Sequence, residues 1–283
     1  MYNNIIYIPM SDHARAKLFT DPLLGILKSI FIKSELTETF EKITDDKNIF
    51  IDLSENKIYT SLNYQKPIDR LKHIQHNLNI DFGNIMDEYQ EQLMSSIFLT
   101  GNEKILEIGS NIGRNSLVIA SILNSANNSH LVTLESDINI YNQLIHNKIL
   151  NNVSFYAENS ALSKRNLIQN GWTTIPSDVV LPDYHSVNII DCVELVEKYG
   201  VQFDTLILDC EGAFYYILLD MPEILNNITL ILMENDYVIG DHKEYVDSVL
   251  TKKGFNVIYL IDDCGGWGFS KHNFWEVWLK SST

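Results

Sequence analysis

Glu107, Gly109 and Gly113 lie in a short segment whose residue types suit the binding of a charged small ligand. The pattern is E-x-G-x-N-x-G, with Asn111 between the two glycines. Glycine lets a backbone turn sharply and approach a ligand closely, because it has no Cβ. Neither G-x-G-x-x-G nor a following G-K-S/T is present, which argues against a pyrophosphate site. A carboxylate at Glu107 would repel a phosphate and favour an ammonium group. An ordinary βα turn would explain the glycines but not the acid.

A second group of polar residues follows two apolar runs in the later half of the chain. Asp209 follows residues 205–208, and Glu234, Asn235 and Asp236 follow residues 229–233. If both runs are parallel strands, these side chains meet at the carboxyl edge of the sheet, where open α/β sheets bind ligands. We take Asp209, Glu234 and His242 as the candidate catalytic residues.

Three interpretations of this second group stay open. Asp209, Glu234 and either Asn235 or Asp236 can supply the oxygen ligands that Mg²⁺ prefers, and our candidate metal set is Asp209, Glu234 and Asn235. Alternatively, His242 or Asp209 acts as a general base without a metal. In the third interpretation these acids cap helices or order a turn and have no chemical role.

The elements that must position these residues alternate regularly between strand and helix. A helix is predicted from Ile85 to Phe98, beside the glycine segment. Strands are predicted at 105–108, 131–134, 153–156, 205–208, 229–233, 257–261 and 274–279, and helices around 114–124, 138–150, 190–199, 213–226 and 242–253. Only twelve residues, 262–273, separate the last two strands, too few for a helical crossover, so they should form an antiparallel hairpin. We therefore predict an α/β fold with a doubly wound, mostly parallel, seven-stranded sheet.

Glu135 is a further candidate for ligand binding. It follows the predicted strand 131–134, and an acid at that place in a doubly wound sheet can accept hydrogen bonds from both hydroxyls of a ribose. The same carboxylate could instead cap the next helix, but Ser136 and Asp137 are better placed for capping. We therefore expect Glu135 to be free for a ribose.

From about Tyr89 to its end, the chain resembles the FkbM-type family of class I S-adenosylmethionine-dependent methyltransferases. The glycine segment resembles motif I of that class, and the other matching segments are more specific to the family. The four segments are residues 106–113, Leu134-Glu135, Asn159-Ser160-Ala161-Leu162-Ser163 and Leu208-Asp209-Cys210-Glu211-Gly212-Ala213. The family usually has aspartate where Glu107 stands and a second glutamate where Phe214 stands.

The resemblance implies a Rossmann-like fold and S-adenosylmethionine as the cofactor. It implies that the cofactor is bound by residues of the first three matching segments and of the helix that follows the glycine segment, namely Glu107, Gly109, Ser110, Asn111, Gly113, Asn115, Glu135, Asn159 and Ser160. Mg²⁺ is a further cofactor under the metal interpretation given above.

Residues 1–83 have a different character and lie outside the resemblance. An amphipathic helix or helix pair is predicted over 12–33, a hairpin over 49–60 and a helix over 67–79. We interpret this small α+β region as a cap or an oligomerisation element and residues 84–283 as the methyltransferase domain. The turn-rich segment 163–187 is predicted to cover the cleft, together with an aromatic hairpin tip at 265–269.

Composition excludes several classes of protein. The net charge of −16 argues against nucleic acid as a partner, because phosphate contacts need a basic surface. No apolar run reaches transmembrane length, so we expect no membrane span. The three cysteines lack metal-type spacing and cannot all pair with one another. Cys192 and Cys210 lie in apolar surroundings and are expected to be free thiols, which suits a reducing compartment. We therefore expect a cytoplasmic protein, and its N-terminal region is a candidate for homo-oligomerisation.

These observations predict an S-adenosylmethionine-dependent O-methyltransferase acting on a hydroxyl of a small-molecule or carbohydrate acceptor. The carbohydrate preference follows from the resemblance alone. A catalytically silent methyltransferase fold that binds a partner is one alternative. An N-methyltransferase is another, although the Asn/Asp-Pro-Pro-aromatic motif typical of amino-group methylation in nucleic acids is absent.

Overall fold

The structure is a computed structural model, and it describes most of the chain. The described residues are 4–21, 23, 25–26, 28–33, 40–61, 63–261 and 273–281. The predicted aromatic tip at 265–269 lies outside them. Statements below concern the described residues.

The N-terminal region combines short strands with two helices. Its elements are β1 (Ile5–Ile8), α1 (Asp12–Phe19), β2 (Ile30–Lys33), β3 (Phe40–Ile43), β4 (Ile49–Asp52), β5 (Lys57–Thr60) and α2 (Gln65–His76). Strands β1, β4 and β5 form one antiparallel sheet, and β2 pairs with β3 in a hairpin. The predicted hairpin over 49–60 is confirmed.

The remainder alternates between strands and helices as the sequence predicts. Its first half contains a 3₁₀ helix (Ile85–Glu88), α3 (Tyr89–Phe98), β6 (Ile105–Ile108), α4 (Arg114–Ser125), β7 (Leu131–Leu134), α5 (Ile138–Asn151), β8 (Tyr156–Glu158), β9 (Ala161–Leu162), β10 (Leu167–Asn170), β11 (Thr173–Pro176), β12 (His185–Ser186) and β13 (Ile189–Ile190). Its second half contains α6 (Cys192–Tyr199), β14 (Thr205–Leu208), α7 (Phe214–Asp220), a 3₁₀ helix (Pro222–Leu225), β15 (Leu230–Glu234), α8 (Gly240–Lys252), β16 (Phe255–Ile261) and β17 (Trp275–Lys280).

Seven strands form the central sheet in the order β16-β17-β15-β14-β6-β7-β8. The five strands from β15 to β8 in this order are parallel, and β17 is antiparallel to both of its neighbours. This order, with its C-terminal antiparallel hairpin, is the Rossmann-like fold of the class I methyltransferases. The predicted fold class is therefore confirmed.

Both faces of this sheet are covered, which explains why its central strands are mostly apolar. All four residues of β6, β7 and β14 are buried. Because side chains alternate between faces, Leu106 and Ile108 belong to one core while Ile105 belongs to the other. Helix α5 begins at a capping Asp137, and α6 begins with a capping box formed by Asp191 and Glu194.

Several predicted elements differ from the structure. Residues 30–33, predicted as helical, form strand β2, whose Ile30 and Ile32 pack against a small apolar cluster beside β4. The third strand of the sheet spans Tyr156–Glu158 rather than 153–156, because its register is fixed by pairing with β7. The predicted helix 213–226 is divided into α7 and a 3₁₀ helix at Met221, just before Pro222.

The N-terminal region shares a core with the central domain, so the predicted boundary at residue 83 is not a boundary in packing. Tyr7 and Phe50 pack against Phe98 of α3 and Tyr259 of β16. The side chain of Asn48, 1% exposed, donates to the carbonyl oxygen of Leu260 at 2.7 Å and accepts from its N–H at 3.2 Å. The region therefore covers the β16 edge of the sheet.

The predicted covering segment forms a small antiparallel sheet of β11, β10 and β12. Ser136, which follows β7, donates to the side chain of Gln169 in β10 at 2.8 Å and so ties this sheet to the central domain. Among the described residues, every helix is too short or too polar to cross a lipid bilayer.

Candidate functional site

Gly109 lies where strands β6, β7 and β14 end together. Its N–H and that of Ser110 donate to the carbonyl oxygen of Leu134, each at 3.1 Å, and the N–H of Asp209 donates to Ile108 at the same distance. Gly109 has a φ of +84°. A Cβ at this position would lie 1.6 Å from the carbonyl oxygen of Asp209, so the close approach requires glycine.

Gly113 begins helix α4 from a left-handed conformation with a φ of +89°. A Cβ there would lie 2.4 Å from Cδ1 of Leu144 in α5, so this glycine serves close packing between α4 and α5. The two glycines of the motif thus have different roles: the first brings the loop against β14, and the second seats the helix that follows.

Glu135 follows β7 and supports the glycine loop. Its Oε2 accepts the N–H of Asn111 at 2.9 Å, and its Oε1 accepts the N–H of Asp137 at 2.8 Å. Asp137 caps α5 as expected, but Glu135 is not free of backbone partners as the sequence suggested. Each carboxylate oxygen has two acceptor positions, so one remains on each for a ligand hydroxyl. Burial is the main cause that raises the pKa of Glu135.

A cavity of about 730 Å³ opens between the carboxyl edge of the sheet and the small covering sheet. Its size is ordinary for the binding site of a small molecule. Six predicted site residues line it: Gly109, Asn111, Glu135, Ser160, Asp209 and Glu234. The covering segment contributes Ser163, Arg165, Leu167, Gln169, Gly171, Trp172, Thr174, Ile175 and Pro176.

Glu107 lies on the face of β6 that is covered by α4, and it does not line the large cavity. Its Oε2 accepts the hydroxyl of Ser116 at 2.5 Å and that of Thr133 at 2.6 Å. The residue is 2% exposed, and burial raises its pKa to about 7. Glu107 instead borders an adjoining void of about 10 Å³, so its role as a direct cofactor ligand stays a prediction.

Two acids of this site were missed by sequence reasoning. Glu88 and Glu91, at the start of α3, line both the small void and the large cavity. Glu88 accepts from Arg114 at 2.8 Å and from the N–H of Asn115 at 3.1 Å, which confirms that this helix packs beside the glycine loop. Burial raises the pKa of Glu88 to about 7. The sequence did contain a signal for these two acids: Glu88 and Glu91 are three residues apart on a predicted helix beside the glycine loop, so both can face that loop.

Three carboxylates converge next to the glycine loop. Asp209, Glu234 and Asp236 each offer one oxygen, and these three oxygens lie within 4.8 Å of one another. Burial and the neighbouring acids raise the pKa of Asp209 well above its usual range. Burial, together with a hydrogen bond to Glu91, raises the pKa of Glu234 to about 12. Without a cation, the protonated forms of these acids are therefore favoured, and a bound cation would stabilise their ionised forms.

The third carboxylate of this group belongs to Asp236, the neighbour of the predicted ligand Asn235. Asn235 is 1% exposed, and its side-chain amide donates to the carbonyl oxygen of Asn273 at 2.5 Å. Its own N–H donates to Phe274 at 2.7 Å. The side-chain nitrogen of Asn235 therefore fastens the end of β15 to the start of β17. Its buried Oδ1 has no hydrogen-bond partner, so the role of Asn235 as a metal ligand stays a prediction.

His242 also lies apart from the cavity. Its ring stacks on Tyr215 of α7, with centroids 3.7 Å apart and an angle of 4° between the planes. His242 is not among the described residues that line the cavity. The structure thus brings Asp209 and Glu234 together, but it does not place the third predicted catalytic residue with them.

The remaining predicted cofactor residues support the loops around the cavity. Ser110 is 3% exposed, and Asn115 accepts the hydroxyl of Ser95 at 3.0 Å behind the loop. The side-chain amide of Asn159 donates to the carbonyl oxygen of Glu135 at 2.9 Å. Ser160 lines the cavity, and its hydroxyl donates to Glu158 at 3.1 Å. Asn159 therefore fixes the position of Glu135 relative to the end of β8.

No protein-family model matches the chain, and a search of curated proteins found no match. Among solved structures, the chain is similar to a Klebsiella pneumoniae protein assigned as an O-methyltransferase, with 14% identity, 76% of this chain and 90% of that chain covered, and a TM-score of 0.44. It is also similar to the O-methyltransferase from Bacillus cereus in complex with SAH, with 16% identity, coverage of 75% and 91%, and a TM-score of 0.42.

A methyltransferase from Pyrococcus furiosus is 14% identical over 77% of this chain and all of that chain (100%), with a TM-score of 0.39. These similarities are distant. The strand order of the central sheet defines the fold by itself.

Proposed function

We propose that this chain is an S-adenosylmethionine-dependent O-methyltransferase acting on a hydroxyl of a small-molecule or carbohydrate acceptor. One observation carries the proposal: the glycine loop and Glu135 meet at the carboxyl edge of a class I sheet and open into a 730 Å³ cavity. Within this class we propose membership of the FkbM-type family, which the four matching sequence segments support.

The residues around the loop suit the two ends of such a cofactor. When bound, S-adenosylmethionine supplies an electrophilic methyl group on a sulfonium. Glu135 has one acceptor position left on each oxygen for the two ribose hydroxyls. The acids Glu88, Glu91 and Asp209 favour a ligand that carries an ammonium group and a sulfonium. The protein then mainly has to align donor and acceptor for an in-line displacement.

A hydroxyl acceptor also needs activation, and Asp209 is the proposed residue for it. Asp209 lines the cavity and lies next to the glycine loop. In one form of the proposal its carboxylate takes the proton of the acceptor hydroxyl. In the other form Asp209, Glu234 and Asp236 bind Mg²⁺, for which three converging carboxylate oxygens are a suitable donor set. Mg²⁺ there would lower the pKa of a coordinated hydroxyl.

Calorimetry with S-adenosylhomocysteine and 5′-methylthioadenosine tests the cofactor assignment. Glu135→Ala should weaken binding of both ligands by about 1–3 kcal/mol, because both contain the ribose. Asp191→Ala is the matched control, since Asp191 also accepts two backbone N–H groups but caps α6. That control should keep wild-type affinity for both ligands.

Turnover is the second half of the test. Transfer of labelled methyl groups from S-adenosylmethionine to a panel of sugars and small hydroxyl compounds should identify an acceptor. If Glu135→Ala bound both ligands as tightly as the wild type, the cofactor assignment would be wrong. Tight binding of the cofactor without turnover on any acceptor would favour the alternative of a catalytically silent binding subunit.

A further inference from the structure

One wall of the cavity is built around an ion pair between the covering segment and helix α7. Arg165 donates from Nε to Oδ2 of Asp220 at 2.5 Å and from Nη2 to Oδ1 at 2.7 Å. The guanidinium group lies 5.5 Å from the ring centroid of Tyr216. Arg165, Tyr216 and Asp220 all line the cavity. The bidentate geometry holds the arginine against α7 and takes up its charge.

The second arginine of the lining is neutralised in the same way. Arg114 pairs with Glu88 at 2.8 Å and with Asp87 at 3.3 Å. These two are the only lysine or arginine residues among the described residues that line the cavity. Every positive charge of the described lining therefore has a carboxylate partner.

The acids of the lining have no such balance. Asp209, Glu211 and Glu234 face the same cavity, and none of them forms an ion pair with a described lysine or arginine. A phosphate or carboxylate on an acceptor would find no unpaired lysine or arginine in the described lining and would have to compete with Asp220 for Arg165. An uncharged ring meets neither obstacle, and Tyr216 and Trp172 offer it aromatic surface.

We propose that the acceptor is an uncharged, hydroxylated ring compound, and that the Arg165–Asp220 ion pair excludes acceptors that carry a carboxylate or phosphate. This proposal rests on the proposed methyltransferase function, because it concerns the acceptor side of the same cavity. In this proposal Asp220 determines specificity, because it pairs with the guanidinium group of Arg165 and keeps that group from binding an anionic acceptor.

Two probes that differ in one charged group test the proposal: phenyl β-D-glucopyranoside and phenyl β-D-glucuronide. Their affinities are measured by calorimetry with the protein saturated with S-adenosylhomocysteine. The wild type should bind the glucuronide about tenfold more weakly than the glucoside, equivalent to about 1.4 kcal/mol. Asp220→Asn should remove or reverse this preference, because it releases the guanidinium group of Arg165 for the carboxylate.

Glu223→Gln is the matched control. It removes the partner of Lys164, at 3.1 Å, in an ion pair whose two residues do not belong to the described lining. This variant should keep the wild-type preference between the probes. Equal binding of the two probes by the wild type, tighter binding of the glucuronide, or no binding of either would overturn the proposal.

The cofactor measurement separates this proposal from the one on which it rests. If S-adenosylhomocysteine fails to bind the wild type, the proposed function fails. If S-adenosylhomocysteine binds but Asp220→Asn keeps the wild-type preference, only the role of the ion pair fails.

Discussion

A Cβ atom added to Gly109 would lie 1.6 Å from the carbonyl oxygen of Asp209. The two residues follow neighbouring parallel strands, and the N–H of Asp209 donates to the residue before Gly109. The glycine loop and the proposed catalytic acid are therefore fixed by one backbone contact. A change at either residue should alter both cofactor binding and the position of the carboxylate.

Gly109→Ala is expected to destabilise the protein and to abolish measurable binding of S-adenosylhomocysteine. The left-handed backbone alone disfavours alanine by about 1–2 kcal/mol, and the clash with Asp209 adds to that. Urea unfolding and calorimetry measure the two effects. Gly254→Ala is the matched control, because its φ is +86° and nothing lies within 4 Å of the added Cβ. The control should lose only the stability that the left-handed backbone costs, and it should bind S-adenosylhomocysteine as the wild type does. Equal losses of stability in Gly109→Ala and Gly254→Ala would contradict the steric explanation.

Asp236→Asn is expected to weaken Mg²⁺ binding by about tenfold or more, because it removes one of three converging carboxylates. Calorimetric titration with Mg²⁺ in the presence of S-adenosylhomocysteine measures the affinity. Asn235→Ala should leave this affinity unchanged. It should lower stability, because it removes the side-chain amide that donates to the carbonyl oxygen of Asn273. Loss of Mg²⁺ binding in Asn235→Ala, with retention in Asp236→Asn, would restore the ligand set predicted from the sequence.

Glu107→Gln should change how stability depends on pH. Burial raises the pKa of Glu107 to about 7 from 4.5. The native state then binds more protons than the unfolded state between these values, so stability falls as pH rises through this window. The contribution is about 2–3 kcal/mol between pH 5 and pH 8. Urea unfolding at both pH values should show a smaller decrease for the variant than for the wild type, and an identical decrease would refute this account of Glu107.

Asn48→Ala should reduce stability by about 3 kcal/mol, because it leaves both backbone groups of Leu260 without their partner. Affinity for S-adenosylhomocysteine, measured per folded molecule, should not change, since Asn48 is remote from the cavity lining. Asn63→Ala is the control, because Asn63 accepts a single exposed N–H from Thr60 and should cost about 1 kcal/mol. Similar losses of stability in both variants would show that the contact between Asn48 and β16 contributes little to the stability of the fold.

The central sheet could be predicted because its signals are local. Apolar runs such as 105–108 are buried on both faces, and Gly113 marks where α4 must begin. The N-terminal region lacks such signals. Residues 30–33 are apolar enough for a helix face or a strand, and their pairing with residues 40–43 decided the outcome.

The site could be located from the sequence, but its ligand set could not. Asn235 and Asp236 are neighbours after β15, and the orientation of the Asn235 side chain depends on its bond to residue 273, far along the chain. Glu135 lines the cavity, but its bonds to the backbone depend on how the glycine loop folds over it. Glu88 and Arg165 were overlooked because single charged residues carry no pattern of their own.

The bond between Asn48 and Leu260 joins residues that are 212 positions apart. During synthesis, the N-terminal strands leave the ribosome long before the β16 edge that they cover. Until residue 260 has emerged, Phe50 lacks Tyr259 as a packing partner, and its apolar surface stays open to water or to a chaperone. Completion of this core is thus a late event in translation, and slowing the ribosome shortly before β16 should increase capture of the nascent chain.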